Sequence, residues 1–125
     1  MGRPISLKTR ILILLIDAAL DPADPYCGVL RAGDMAKNLR VSKDAVEVVL
    51  TELLANGSVS KARKAPVSLR ECDAMLPVRI GYCISQEVRE NSCHVPLATR
   101  KLYTQKREEQ EAAFEAAWGF SISFT

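Results

Sequence analysis

Residues 31–61 read RAGDMAKNLRVSKDAVEVVLTELLANGSVSK, and the spacing within them decides the fold. Met35, Ala36 and Leu39 occupy the i, i+1 and i+4 positions of a short amphipathic helix. Arg40 and Val41 then form a tight link. Ser42 can cap a second helix by accepting from backbone N–H groups, and Asp44 in its first turn suits the positive end of the helix dipole. Val46, Val49, Leu50, Leu53 and Leu54 make one apolar stripe, after which Asn56-Gly57 supplies a left-handed stop. Two helices on a short link, the second longer, form a helix-turn-helix.

Working outward, the period changes after Gly57. Residues 58–64 alternate and are basic, and Pro66 interrupts them. Residues 77–85 predict a second strand with Val78, Ile80, Tyr82 and Ile84 on one face. The link between these strands, about thirteen residues, exceeds an ordinary hairpin loop. A strand pair after a helix-turn-helix is a wing. Upstream, residues 7–20 predict a helix capped by Ser6 and stopped at Asp21-Pro22. Its run from Ile11 to Ile16 is apolar on every face, so it is expected to be covered on most sides. Downstream, residues 97–118 contain no Gly or Pro and predict a long helix. Leu97, Ala98, Leu102 and Tyr103 are its candidates for packing on the rest of the chain, and residues 104–111, with no apolar side chain, are expected to be exposed. In the last residues, Phe120, Ile122 and Phe124 alternate as on one strand face. The expected fold class is α+β: a winged helix-turn-helix domain over 1–96, then a C-terminal helical extension and short terminal strand over 97–125 for dimerisation or partner contact.

The 125 residues are 48% hydrophobic and 26% charged, values of a globular chain that exclude a mainly disordered or collagen-like one. The net charge of +2 hides an asymmetry: 17 basic and 11 acidic residues through Arg107 give +6, and four acids with no base follow, giving −4. A basic body permits an anionic partner. The longest apolar run is six residues against the about 20 that span a membrane. It is also short for a leader, so the four cysteines are expected to be reduced and the location cytoplasmic.

The pattern Ala32-x-x-Met35-Ala36-x-x-Leu39-x-Val41-Ser42-x-x-x-Val46-x-x-x-Leu50-x-x-Leu53-x-x-x-Gly57-x-Val59 resembles the winged helix-turn-helix superfamily of bacterial transcription regulators, over residues 7–85. A weaker similarity is to CaiF/GrlA-type activators of enterobacteria, which share an apolar first helix, a long wing segment with cysteines and a polar C-terminal extension. The chain lacks that family's tryptophan and paired arginines around the recognition helix. The resemblance implies sequence-specific binding to double-stranded DNA in transcription regulation.

In such a fold the outward residues of the second helix reach base edges in the major groove. Here these are Ser42, Lys43, Asp44, Glu47, Val48 and Thr51. Lys43 can donate to guanine, Asp44 or Glu47 can accept from cytosine, and Val48 or Thr51 can touch a thymine methyl. Ser42 can donate to a phosphate. Arg40 and Lys37 at the turn, with Lys61, Arg63, Lys64 and Arg70 on the wing, are the expected phosphate contacts. Asp44, Glu47 and Glu52 against Lys43 make the helix itself acidic, which leaves open a winged helix used as a protein-interaction module without DNA binding.

Cys72, Cys83, Cys93 and His94 raise a third reading, a cysteine-based metal- or redox-sensing regulator. No C-x-x-C pair exists, and adjacent Cys93-His94 suits one ion poorly, so no metal or cofactor is expected. Buried cysteine is more simply a small core residue, as Cys27 also can be. No nucleophile elbow, phosphate loop or zinc-protease motif occurs, and an enzyme is not expected. In the C-terminal helix Arg100, Lys101, Lys106 and Arg107 precede Glu108, Glu109, Glu111 and Glu115. Antiparallel pairing of two copies would set opposite charges together, so a homodimer is expected. The alternative is a helix folded back on its own domain.

Overall fold

In a computed structural model that describes residues 5–66 and 77–118, the elements are α1 (Leu7–Leu20), α2 (Ala32–Leu39), α3 (Lys43–Ala55), β1 (Val59–Lys64), β2 (Arg79–Ile84), α4 (Gln86–Arg89) and α5 (Leu97–Trp118). Among the described residues the chain is thus α+β, five helices and one two-stranded antiparallel sheet, an arrangement compatible with a winged helix.

Helix α1 is the spine. Ser6 caps it by accepting from the Thr9 N–H at 3.2 Å. Ile11, Leu12, Leu15 and Ile16 are buried, and Ile13 and Leu14 are half-buried. This helix can be apolar all round because α2, α3, α5 and β2 pack about it. Arg10 of α1 donates to the Leu39 carbonyl at 3.1 Å and satisfies the end of α2.

Ala32, Met35, Ala36 and Leu39 bury one face of α2, which ends at Arg40 in the left-handed region at φ 57°. Helix α3 starts on Ser42, whose hydroxyl accepts from the Ala45 N–H at 3.2 Å. Val46, Leu50 and Leu53 are buried, with Val49 and Leu54 half-buried beside them. At its end only Gly57 is left-handed (φ 83°), whereas Asn56 sits at φ −91°. Gly57 and Ser58 N–H groups return to Leu54 and Leu53 carbonyls, and the Asn56 side chain accepts a further bond from the Ser58 N–H.

β1 and β2 pair from Val59↔Ile84 at the base to Lys64↔Arg79 at the outer end. Both strands start later than their sequence pattern suggested, at Val59 and Arg79. Ile80, Tyr82 and Ile84 do share a face, but only Ile84 is buried, because the hairpin runs off the core; Ile80 is 69% exposed and Val78 lies outside the strand. Leu30 bridges the far edge of β2, exchanging bonds with Tyr82 of 2.9 and 2.8 Å. Gly81 makes that approach possible: a Cβ there would run into the Leu30 carbonyl.

After β2 comes α4, which the sequence reading missed. Ser85 caps it at Val88 and donates to the Gly57 carbonyl at 2.6 Å. Helix α5 runs in the same direction as α1. Leu102 lies beside Leu12, Lys106 pairs with Asp17 at 3.8 Å, and the Gln110 amide donates to the Leu20 carbonyl. Its packed face is Thr99, Leu102 and Tyr103. Leu97 and Ala98, expected to pack, are exposed, since docking by Thr99 rotates both outward. Residues 104–111 are mostly exposed as expected, although Thr104 and Lys106 are half-buried. The terminal strand, Arg70 and Cys72 lie outside the described residues.

Candidate nucleic-acid interface

The buried stripe of α3 fixes what faces out. Ser42, Lys43, Asp44, Glu47, Val48 and Thr51 are all exposed, on the side opposite Val46, Leu50 and Leu53. Val48, an aliphatic side chain in the middle of this stripe, is 70% exposed.

The acidity of α3 is partly countered by neighbours. Glu47 pairs with Lys43 at 3.7 Å, and Glu52 pairs with Lys8 of α1 at 2.9 Å. Each such exposed pair contributes at most about 1 kcal/mol, but each also cancels a negative charge that a phosphate would meet. The Thr51 hydroxyl donates to the Glu47 carbonyl at 2.9 Å, and the side chain remains exposed. Arg40 is exposed at the link between α2 and α3.

Strand register divides the cations of the β1–β2 hairpin. Lys61 lies opposite Tyr82 and Arg63 opposite Ile80, so these four share the face whose base is the buried Val59–Ile84 pair. Lys64 lies opposite Arg79 on the other face and is half-buried. A groove of about 480 Å³ between α2, the start of α3 and β2 is lined by Arg31, Asp34, Lys37, Lys43, Glu47 and Tyr82. Tyr82 therefore links the two halves: it is cross-strand neighbour to Lys61 and shares the groove with Lys43 and Glu47. The structure brings Lys61 and Arg63 to the α3 side, and it sets Lys64 apart.

Arg31 and Tyr82 were missed as members of this surface. Arg31, next to Asp34 at 3.0 Å, precedes α2, and nothing in its spacing says which way it points. A second missed feature is the clamp at the start of β2. The Arg79 guanidinium lies 3.8 Å from the centre of the Tyr26 ring and donates to the Val29 carbonyl at 3.1 Å. The Tyr26 hydroxyl donates to the Pro77 carbonyl at 2.6 Å. The loop after α1 thereby anchors the start of β2.

Cys27 and Cys93 are exposed, and Cys83 is half-buried. Burial pushes the Cys83 thiol pKa up, with Arg89 acting in the opposite direction. Among the described residues, no three or more His, Cys, Asp and Glu side chains are grouped as metal ligands, and no helix is long and apolar enough to cross a membrane. No protein family, curated protein or solved structure matches this chain.

Proposed function

We propose that this chain is a winged-helix protein that binds double-stranded DNA in a sequence-dependent way, as a transcription regulator of the bacterial type. One observation carries the reading: the whole outward stripe of α3 is exposed, and the Lys61–Arg63 face of the wing stands beside it across the Tyr82 groove. A helix of 13 residues with one free face is about 20 Å long and suits the major groove. Lys43, Asp44, Glu47, Val48 and Thr51 would meet base edges, and Ser42 a phosphate. Arg40, Lys61 and Arg63 would meet phosphates on either side, with Lys64 a weaker contributor from the opposite face.

Selection of bound sequences from a random DNA pool tests this. Recovery of a shared motif, with affinity that falls steeply as salt rises, supports the reading. Binding without sequence preference, or none at low salt, removes it.

A second reading has its own support. Val48 and Ile80 are 70% and 69% exposed, one on α3 and one on the face of β2 that carries Tyr82. Two large aliphatic side chains on an acidic helix and its wing suit a protein surface with an apolar centre and basic rim. Under this reading the wild type shows no sequence-dependent DNA binding, and Val48→Asp and Ile80→Asp each abolish capture of a protein partner.

A further inference from the structure

Helix α5 is 22 residues long, about 33 Å, and α1 covers only part of it. Contacts with α1 extend from Thr99 to Gln110, which reaches the last residue of α1, Leu20. Residues 111–116 continue beyond that point, and every one is exposed. An outer stripe of α5 carries Leu97, Lys101, Gln105, Glu108, Ala112 and Glu115, spaced by three and four, and all six are exposed.

Charge along this helix is segregated. Arg100, Lys101, Lys106 and Arg107 occupy the first half of the helix and Glu108, Glu109, Glu111 and Glu115 the second, of which Glu111 and Glu115 lie beyond Leu20. Beside the basic half, α1 and α5 enclose a groove of about 530 Å³. Leu12, Pro96, Ala98 and Leu102 give it an apolar floor; Lys101 and Lys8, the latter already paired with Glu52, stand on its rim. On the projecting half, Ala112 and Ala116 lie on the side of α5 that continues this groove. Their small side chains let another helix approach closely.

We infer that a second copy of this chain occupies this surface. The two α5 helices pair antiparallel about a two-fold axis near Arg107. Each projecting acidic half lies along the basic half of the other copy, with Ala112 and Ala116 over the groove beside Leu102 and Ala98. Lys101 then falls within one helical turn of Glu111 and Glu115 of the second copy. Parallel pairing would set like charges together, so the charge order selects the antiparallel arrangement. The contact is isologous, the same patch on both copies, and closes at two. This inference stands whether or not α3 meets DNA.

Complementary charge variants of the full chain test it by sedimentation. Variant A carries Lys101→Glu; variant B carries Glu111→Lys and Glu115→Lys. All three side chains are exposed. The wild type should be a dimer at about 50 μM in low salt, weakening as salt approaches about 0.5 M. Each variant alone should dimerise at least about tenfold more weakly, and an equimolar mixture should restore a one-to-one dimer. A wild type that stays monomeric, a dimer indifferent to salt, or variants that dimerise alone as well as when mixed would each overturn the inference. Should a variant fail to fold, the salt dependence of the wild-type dimer still decides.

Discussion

The Ser58 and Thr99 hydroxyls lie 3.1 Å apart inside the protein, and their contact joins the end of α3 to α5. Ser58 has 0% of its surface exposed and Thr99 3%. Around them the Ser85 N–H donates to the Ser58 carbonyl at 3.1 Å, and the Ser85 hydroxyl donates to the Gly57 carbonyl. The helical hairpin, the base of the wing, α4 and α5 therefore meet at one polar node.

Each of the two hydroxyls depends on the other, which makes their removal non-additive. Ser58→Ala or Thr99→Val alone strands a buried polar group and should cost about 1–3 kcal/mol in urea unfolding. The double variant removes both groups together and should cost clearly less than the sum of the singles. Additive losses would show that the hydroxyls do not satisfy each other.

Two glycines should respond in opposite senses to the same change. At Gly81 a Cβ meets the Leu30 carbonyl, so Gly81→Ala must push apart the Leu30–Tyr82 bridge. A loss of about 1–3 kcal/mol is expected, as for overpacking elsewhere. At Gly33, inside α2, nothing lies within 4 Å of the added carbon. Gly33→Ala should stabilise by up to about 1 kcal/mol through helix propensity. Thermal unfolding of the pair checks both signs in one experiment.

The helices that bury a regular stripe were legible in the sequence. Ser6 and Ser42 announce the starts of α1 and α3, and Gly57 announces the end of α3. α5 matched its expected bounds because residues 97–118 are rich in strong helix formers and contain no Gly or Pro to interrupt them. What failed to show was depth and distance. Ile80 alternates correctly but extends past the core, and period two gives a face without saying how far burial reaches. Leu97 and Ala98 look like docking residues, yet the buried hydroxyl of Thr99, paired 41 residues away with Ser58, sets the rotation of the helix. α4 spans four residues, too few for periodicity, and its cap Ser85 directly follows a strand. The Tyr26–Arg79 clamp and the Tyr82 groove likewise join residues far apart in sequence. Of the candidate site, the α3 stripe was readable, but the division of Lys61 and Arg63 from Lys64 follows from strand register alone.

Cys83 gives the protein a pH-dependent element on the alkaline side. Burial raises its thiol pKa in the folded state, so the folded protein keeps a proton that the unfolded chain releases. The associated stability is intact below the unfolded thiol's pKa, about 8.5, and is lost as pH rises through the folded value. Denaturation midpoints between about pH 7.5 and 10.5 should therefore fall more steeply for the wild type than for Cys83→Ala. Peptide mapping after limited alkylation gives a second check: exposed Cys27 and Cys93 should react before Cys83. Parallel pH curves, or earliest reaction at Cys83, would contradict the assignment.

Strand register makes the sharpest prediction for DNA binding. Lys61 and Arg63 stand on the Tyr82 face beside α3, while Lys64 lies on the other face opposite Arg79. If the first two neutralise phosphates, Lys61→Ala and Arg63→Ala should each weaken binding to every sequence and lower the salt slope by about 1. Lys64→Ala should do much less, although it removes the same charge from the same strand. Glu47→Ala should behave differently again. It acts on the exposed stripe of α3, so it should shift base preference while changing overall affinity little. Fluorescence anisotropy over a salt series, with specific and scrambled duplexes, separates these outcomes. Equal effects at all three cations would mean that net charge, and no particular face of the wing, attracts the duplex. No effect at any of them would remove the wing from the interface and leave the exposed Val48 and Ile80 as the better guide to what this surface binds.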